Sequence, residues 1–599
     1  MACKQCFKKY ENSIMTILLL LLVMVFAAVR YDYYYDLNDD VLMKDILAGV
    51  YTGRPEGHNI QMLWPVSAFI SLLYRIFRKL PMYGLFLCAC QYGSLGLIAC
   101  RSLKFCKKRR TKVLLLAVEG VVAVGLFLPQ LVSVQYTITC TLLASAAAFL
   151  FFTTERDLPA GEFIRRNIGT VFLVVLAFLI RSEMLLLVMP LICAAGVIKW
   201  GSEQVIFTKE HAVKYLAVIG GIGAGLLLGQ IIHMIAYGST QWKTFTEYFD
   251  NRTELYDFQV IPEYEAHAAF YESIGMTGSE VELLRNYNFG LDEKIDEEIL
   301  GKVAAYAAAN RSAEKPFAER LKSSLGQYYR RTVYGPAHNE SDYPWNDIII
   351  FSYVAVLLTA LLSKDKKLSV RLVQIGWKLC FLLAVRSVLW LWLIMRDRVP
   401  VRISVSMYLM EFCILLGMLF VQMQENSKAA MVSGQKKPFV TILTGTVYGC
   451  LGIAFLVNAV ATADADVAYK ENNKARYDTL YAYLSSEENE QNFYLIDVYS
   501  SVLYTEKMFE QVDNSLDNYD IMGGWACKSP IWRKKLAAFG IDNMEEAIIS
   551  RENVYYVQES GADTTWLYDY YADKGITIHM ELTDKSEDAF EIYRISSVS

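Results

Sequence analysis

The sequence is poor in charge and carries no excess of basic residues. Only 20% of its 599 residues are charged, whereas 54% are apolar, and the mean hydropathy is +0.25. Soluble domains rarely have this composition, which is typical of polytopic membrane proteins. The 58 Lys and Arg residues are outnumbered by 63 Asp and Glu residues. Because no positive excess is available to neutralise a nucleic-acid backbone, the composition excludes nucleic-acid binding.

Disulfide pairs and repeats are missing as well. Of the twelve cysteines, only Cys527 falls in a segment that we place outside the cell membrane, and most of the others lie in apolar stretches. No disulfide framework is therefore predicted. The sequence shows neither a tandem repeat nor the pseudo-symmetric halves that are usual in transporters. These absences argue against a repeat protein and weaken a transporter interpretation.

Eleven apolar stretches are predicted to cross a membrane. The first, residues 14–29, follows three lysines and has no convincing cleavage site after it, so we interpret it as a retained anchor and not as a signal peptide. The other ten are residues 83–101, 113–128, 131–153, 168–181, 184–198, 213–236, 348–362, 373–395, 403–422 and 439–460.

Positive charge gives these spans an orientation, because Lys and Arg in short loops prefer the cytoplasm. Six basic segments then face inward: the N-terminus and residues 104–112, 156–166, 199–214, 364–371 and 428–437. Two choices are needed to keep all six basic segments on the cytoplasmic side. Residues 63–77 are placed as an interfacial helix on the outer leaflet. Residues 170–198, which as one helix would measure about 43 Å against a ~30 Å hydrocarbon core, are divided into two spans that meet near Arg181.

The resulting fold class is an α-helical polytopic membrane protein with a separate C-terminal domain. Residues 1–460 form the transmembrane module, with long outer loops at residues 31–82 and 237–347. Residues 461–599 are predicted to form an extracytoplasmic α/β domain. Its predicted strands are residues 493–498, 553–558, 576–582 and 591–595, and its predicted helices are residues 475–485 and 531–539.

A cluster of arginines lies on the outer side, where Lys and Arg are normally sparse. Arg396, Arg398 and Arg402 occur within seven residues, and Pro400 is placed to start a helix with Arg402 in its first turn. Arginines at a helix N-terminus suit a phosphate group. The alternative is that these side chains extend to lipid headgroups. We favour a ligand phosphate.

Two further arginines are candidates for the same phosphate site. Arg386 lies ten residues before Arg396, roughly 15 Å deeper on the same helix. It either extends the site or pairs with Glu411 or Glu183. Arg181 either joins the site or forms an ion pair with Glu183 at the tip of the helical hairpin.

Asp39 and Asp40 follow the first span directly and are the candidate catalytic residues. One carboxylate could accept a proton from a substrate hydroxyl, while the other holds a metal ion or caps the next helix. The simpler explanation is that Asn38 or Asp39 is only the N-cap of a helix over residues 41–50. Taken alone, the Asn-Asp-Asp motif does not decide between them.

The architecture resembles that of the GT-C membrane glycosyltransferases, which include lipid-linked oligosaccharide transferases, protein mannosyltransferases and aminoarabinose transferases. The features that carry the resemblance are an inward N-terminus, the pair Asp39-Asp40 in the first outer loop, an interfacial helix in that loop, about eleven spans and a C-terminal outer domain. The stretch from Asn38 to Pro55 also looks like uncharacterised bacterial membrane proteins of this type. No sequon-reading motif like that of oligosaccharyltransferases is visible, so a protein acceptor is not expected.

The resemblance implies transfer of a sugar from a polyprenyl-phosphate donor to a glycan or lipid acceptor in the cell envelope. Asp39 or Asp40 would then be the base, and the arginines would bind the leaving phosphate. His58 could touch the sugar or the phosphate. Some relatives use a divalent cation such as Mg²⁺ or Mn²⁺ and others do not, so the metal stays open, with Asp39 or Asp40 as its ligand.

Two alternatives remain. An O-antigen ligase or polysaccharide polymerase would also use polyprenyl-linked sugars and would place Arg330, Arg331 and His338 of the long loop at the site. A transporter or a non-catalytic envelope assembly protein is the second alternative, although an outer domain of this size is unusual for a transporter.

Overall fold

The computed structural model describes residues 2–314, 316–361, 367–432, 439–512, 514–586 and 589–598. The helices of the first half are α1 (Ala2–Arg30), α2 (Asn38–Ala48), α3 (Trp64–Ile76), α4 (Met82–Ser102), α5 (Arg109–Val132), α6 (Tyr136–Thr153), α7 (Ala160–Ile180), α8 (Ser182–Trp200), α9 (Lys209–Ala236), α10 (Thr240–Phe258), α11 (Tyr264–Ser273) and α12 (Gly278–Arg285). Those of the second half are α13 (Glu297–Glu314), α14 (Phe317–Val333), α15 (Trp345–Leu361), α16 (Leu368–Ile394), α17 (Val401–Val432), α18 (Phe439–Leu484), α19 (Pro530–Ala538), α20 (Met544–Ser550) and α21 (Thr565–Asp573).

Within the described residues, ten helices are long and apolar enough to cross a membrane: α1, α4, α5, α6, α7, α8, α9, α16, α17 and α18. The remaining predicted span is α15, an apolar helix of 17 residues, or about 26 Å. All eleven predicted spans therefore correspond to helices. The division near Arg181 is confirmed, since α7 ends at Ile180, α8 begins at Ser182, and Arg181 between them has extended backbone.

The helix α3 is too short to span a bilayer. Its 13 residues measure about 20 Å, and it leaves Phe69, Leu72 and Ile76 exposed on one face. The prediction of a helix over residues 63–77 is thus confirmed, and its place at the outer leaflet stays a prediction.

The helices pack closely where small residues allow it. α5 lies along α18, and α6 lies along α17. At the first of these interfaces a Cβ on Gly125 would come within 2.6 Å of the carbonyl oxygen of Gly452, so glycine is what permits the two backbones to meet. Small residues have this role in many membrane helix pairs.

The C-terminal region contains a five-stranded sheet. Its strands are β3 (Phe493–Ile496), β4 (Tyr519–Ile521), β5 (Val554–Glu559), β6 (Thr577–Ser586) and β7 (Phe590–Val598), in the order β4-β3-β5-β7-β6. β3 pairs in parallel with β4 and β5, whereas β7 is antiparallel to both β5 and β6. All four predicted strands are present, and β4 is an addition. Residue 460, the predicted domain boundary, falls inside the 46-residue helix α18.

The three long regions that were predicted to lie outside meet at one end of the bundle. The backbone amide of Met508 donates to the carbonyl of Tyr33 at 2.7 Å, which joins the C-terminal region to the first loop. Asn288 donates to Asp497 at 2.7 Å, and the amide of Gly290 donates to Met522 at 2.8 Å. These two bonds join the long loop to the same C-terminal region.

The basic segments meet one another elsewhere. Lys112 donates to Glu11 at 2.7 Å, and Lys214 donates to the carbonyl of Arg156 at 2.7 Å. Residues 362–366 and 433–438, which include parts of two predicted inward segments, lie outside the described residues. The described structure is that of a multi-pass membrane protein.

Candidate active site

The two candidate acids occupy the first turn of α2. A short strand, β1 (Tyr34–Tyr35), precedes this helix and pairs with β2 (Ser133–Val134). The N-cap of α2 is Leu37, and no side chain caps the helix. The simpler explanation of the acidic motif, in which Asn38 or Asp39 is the N-cap, is therefore wrong. The carboxylate of Asp39 is bonded elsewhere.

Asp40 is closed off from solvent. Its side chain is fully buried, and the hydroxyl of Tyr83 donates to Oδ1 at 2.7 Å, while Oδ2 has no hydrogen-bond partner. Burial raises the pKa of Asp40 well above its usual value, although the bond from Tyr83 and the charge of Arg181 act in the opposite direction. A carboxyl in this environment favours the neutral form and is poorly placed to take a proton from a substrate.

Asp39 instead faces an open cavity of 480 Å³, which we call the Asp39 cavity. One of its carboxylate oxygens accepts a hydrogen bond of 2.9 Å from the indole nitrogen of Trp525. No cation pairs with Asp39 within the described residues. The cavity lies between α2 and the C-terminal region, and its aromatic lining residues are Tyr51, Tyr287, Tyr481, Tyr499, Tyr504, Tyr519 and Trp525. A second cavity, near Lys199 and Glu425, measures only 90 Å³.

Glycines bring Trp525 to this position. A Cβ on Gly523 would stand 1.8 Å from the carbonyl oxygen of Tyr287, and Gly524 has a φ of +84°. Both positions therefore require glycine for the loop after β4 to fold against the long loop. Trp525 itself is only 7% exposed.

Arg181 links the acids to the arginines. Its guanidinium lies over the ring of Tyr136 at 4.6 Å, and one nitrogen donates to Gln61 over a long 3.4 Å contact. Burial lowers the pKa of Arg181, and the charges that act on it include those of Glu183, Asp39 and Arg402. The predicted alternative of a contact ion pair with Glu183 is absent among the described residues.

Arg402 lies in the first turn of α17 and is half-buried. Among the described residues it forms no hydrogen bond and no ion pair, yet its charge acts on both Arg181 and Asp36. Within the described part of the chain, Arg181 and Arg402 are thus two guanidinium groups without an anionic contact partner, and Asp39 is a carboxylate without a cationic one. The charges of Asp39 and Arg402 both act on Arg181, although neither arginine lines the Asp39 cavity.

The other predicted arginines have partners. Arg398 pairs with Asp257 at 2.6 Å. Arg396 lies over Trp392 at 4.6 Å and over Phe258 at 5.4 Å. These contacts tie the start of α17 to the end of α10.

Arg386 pairs with Glu411 at 2.9 Å, with the two side chains 3% and 1% exposed. Of the alternatives for Arg386, the structure therefore contains the ion pair with Glu411. A guanidinium that is held in this way serves the packing of α16 against α17.

His58 is also held in place. Its Nδ1 contacts Glu56 at 2.7 Å, its Nε2 contacts the carbonyl of Ala236 at 3.2 Å, and its ring stacks on Trp242 at 4.9 Å. Burial lowers the pKa of His58, but the hydrogen bond and charge of Glu56 outweigh it and raise the pKa overall. The same contact lowers the pKa of Glu56 to about 2.

The residues of the ligase alternative lie in the long loop. Arg330 pairs with Glu340, and Arg331 pairs with Asp342 at 2.9 Å. His338 packs on Tyr334 with 4.3 Å between ring centres. None of the three lines the Asp39 cavity. A metal centre is not indicated either, since the described part of the chain contains no group of three or more His, Cys, Asp or Glu side chains placed to hold an ion.

Three functional candidates could not be found from the sequence. Trp525, Arg252 and Lys535 line the Asp39 cavity, but each lies hundreds of residues from Asp39 in the chain. Arg252 has a buried Nε without a hydrogen-bond partner and lies over Tyr256 at 5.4 Å. A basic residue on a polar helix, such as Arg252 on α10 or Lys535 on α19, gives no local signal that it faces a site.

No protein-family model and no curated protein matches the sequence. Among solved structures, the chain is similar to ArnT from Cupriavidus metallidurans bound to undecaprenyl phosphate, with 9% identity, 98% of each chain covered and a TM-score of 0.40. It is also similar to the apo state of the same protein, with 9% identity, 96% of this chain and 97% of that chain covered and a TM-score of 0.40. The chemistry of the Asp39 cavity has to be inferred from the residues of this chain.

Proposed function

We propose that this protein is a membrane glycosyltransferase that moves a sugar from a polyprenyl-phosphate donor to a glycan or lipid acceptor on the extracytoplasmic side of a bacterial plasma membrane. One observation carries the proposal. Among the described residues Asp39 has no cationic contact partner and Arg181 and Arg402 have no anionic one, and the charges of Asp39 and Arg402 both act on Arg181. A base and two cations without partners are what a transfer from a phosphate leaving group needs.

In the proposed reaction Asp39 is the general base. It takes the proton from an acceptor hydroxyl, whose oxygen attacks the anomeric carbon of the donor sugar. The bond between that carbon and the phosphate oxygen breaks, and the polyprenyl phosphate leaves with the electron pair. Arg181 and Arg402 stabilise the negative charge that develops on the leaving oxygen.

The other predicted residues have supporting roles in this proposal. Arg396 and Arg398 anchor the helix start that carries Arg402, and Arg386 supports the bundle below it, because each already has a partner. Asp40 shapes the first turn of α2 through its bond with Tyr83.

His58 and a metal ion are two further parts of the proposal. His58 would orient the loop before α3, since both of its ring nitrogens are engaged. A divalent cation, Mg²⁺ or Mn²⁺, would bind at Asp39, which lines the cavity, and would add Lewis-acid assistance to the leaving phosphate. Chelation with EDTA followed by readdition of each ion tests this dependence directly.

The experiment that tests the proposal uses the purified full chain in nanodiscs. Binding of undecaprenyl phosphate is measured first. Arg181→Gln and Arg402→Gln should each weaken it by about tenfold or more, because a charge-assisted hydrogen bond contributes about 1.5–3 kcal/mol. Arg330→Gln is the matched control and should bind as the wild type does, since Arg330 is half-buried, is paired with Glu340 and does not line the Asp39 cavity.

Transfer is measured second, with a panel of undecaprenyl-phosphate sugars and release of undecaprenyl phosphate as the readout. Asp39→Asn should lower the rate by about 10²- to 10⁴-fold, the usual contribution of a general base. Asp32→Asn, an exposed carboxylate of the same loop that pairs with Lys507, is the control. Activity that survives in Asp39→Asn and is lost in Arg330→Gln would replace the proposal with the ligase alternative.

A further inference from the structure

The Asp39 cavity extends well past Asp39 itself. Its 480 Å³ falls within the range of about 300–1,000 Å³ that is common for small-molecule sites. One part of it is lined by residues of α2, α18, β4 and α19. Here the rings of Tyr481 and Tyr519 stack on each other with 4.6 Å between their centres. The proposed transfer reaction makes no use of this part of the cavity.

Lys535 is an unusual residue in this part of the cavity. It lies on α19 and is 2% exposed, and within the described residues its ammonium group forms no hydrogen bond and no contact ion pair. It lies over the ring of Tyr51 at 4.3 Å and over that of Tyr519 at 5.2 Å. Lysine is almost never fully buried without a partner, because an unpaired charge loses its hydration. The three donors of Lys535 are therefore available to a molecule in the cavity.

Acceptors surround this donor. Asp517 lines the cavity and has no hydrogen bond to its carboxylate within the described residues. Burial raises the pKa of Asp517 to about 7, against the lowering effect of Lys535. Asp520 also lines the cavity and accepts a hydrogen bond of 2.8 Å from the hydroxyl of Tyr51. The aromatic rings offer apolar surface, the carboxylates offer hydrogen-bond acceptors, and the ammonium group of Lys535 offers hydrogen-bond donors. All three lie within one site.

The charge of the cavity selects among ligands. Four carboxylates line it, those of Asp39, Asp45, Asp517 and Asp520, against two cations, Arg252 and Lys535. Asp45 is paired with Lys44 at 2.8 Å, and the other three carboxylates still outnumber the two cations. An anionic ring such as a uronic acid would meet net repulsion there, whereas a neutral or amino sugar would not. The hydroxyl groups of a pyranose can both donate to carboxylates and accept from an ammonium group.

We infer that this part of the Asp39 cavity is the acceptor subsite, that it binds a neutral or amino pyranose, and that Lys535 and Asp517 hold the ring against Tyr519. The assignment of this sugar to the acceptor rests on the proposed function, because Asp39 faces the same cavity and would take the proton from the bound hydroxyl. The C-terminal region is then part of the catalytic chamber and supplies its specificity.

The test measures glycan binding, which is independent of transfer. The labelled full chain in detergent is applied to an array of neutral, amino and uronic-acid bacterial oligosaccharides. The wild type should bind neutral or amino members, and Lys535→Met and Asp517→Asn should each weaken that binding at least tenfold. Lys534→Met is the matched control, because Lys534 is the exposed neighbour on α19 and should leave binding unchanged.

Folding is followed by thermal unfolding of each variant. Lys535→Met should keep a cooperative unfolding transition, which identifies the variant as folded. The inference is overturned if the wild type binds only uronic acids or no glycan, or if a folded Lys535→Met binds within twofold of the wild type. Loss of transfer in Asp39→Asn with glycan binding retained supports both proposals. Transfer that survives Asp39→Asn while Lys535→Met loses glycan binding would overturn the catalytic proposal and keep the sugar site.

Discussion

The ion pair of Arg386 with Glu411 yields a prediction that can be worked out in detail. The two side chains touch at 2.9 Å, are 3% and 1% exposed, and lie between apolar helices. Tyr353 donates to Glu411 at 2.7 Å, and Arg386 lies over the rings of Tyr328 and Tyr408, each at 5.4 Å. Removing one member of a buried pair typically costs about 3–5 kcal/mol, because the other charge is left unpaired, whereas replacing both with apolar residues is often neutral.

We therefore expect Glu411→Gln to lower the free energy of unfolding by about 3–5 kcal/mol, and the double variant Arg386→Met/Glu411→Leu to recover most of that loss. Unfolding titrations in SDS and mild detergent, followed by intrinsic fluorescence, measure both values. The double variant should also bind undecaprenyl phosphate as the wild type does, since Arg386 supports the fold.

Two results would refute this reasoning. If the double variant is no more stable than Glu411→Gln, the buried charge left by the single substitution is not the cause of its loss. If the double variant folds but binds undecaprenyl phosphate at least tenfold more weakly, Arg386 contacts the phosphate, as the sequence had suggested.

Three further predictions concern Trp525, Asp517 and the membrane topology. Trp525→Phe removes the N–H that holds Asp39 and should lower kcat by about tenfold with an unchanged KM for the donor. A parallel rise in KM would contradict the interpretation that Trp525 positions Asp39. Burial raises the pKa of Asp517 from 3.8 to about 7, so the folded state loses stability as pH rises from about 4 to about 7. Asp517→Asn should then raise the thermal midpoint at pH 8 more than at pH 5. An equal change in midpoint at both pH values would contradict the raised pKa of Asp517. Cysteines introduced at the exposed positions 337 and 562 should react with a membrane-impermeant thiol reagent on intact cells, and protection of both would reverse the topology.

Much of the bundle could be predicted from the sequence, because membrane insertion obeys local rules. A run of apolar residues marks a span, and basic loops mark one side. The clearest example is Arg181, where length and charge parity together required a break, and the chain indeed turns between Ile180 and Ser182. The helix over residues 63–77 was predicted not to be a span for the same reason, because counting it would have placed the basic segment 104–112 outside.

The interior of the site could not be predicted, because it depends on contacts between distant segments. The bond from Trp525 to Asp39 spans 486 residues of sequence. From the sequence alone Asp39 and Asp40 were equivalent candidates, whereas the fold buries Asp40 against Tyr83 and leaves Asp39 lining the cavity. Likewise, Lys534 and Lys535 are adjacent and identical, and only the packing of α19 exposes the first and buries the second.

The most direct measurement is an experimental structure of the full chain in nanodiscs with undecaprenyl phosphate. The account predicts phosphate density in contact with the guanidinium groups of both Arg181 and Arg402, on the same side as the Asp39 carboxylate and open to the Asp39 cavity. Phosphate bound at Arg330 and Arg331 instead, or bound at Arg402 with packed side chains between it and Asp39, would contradict it.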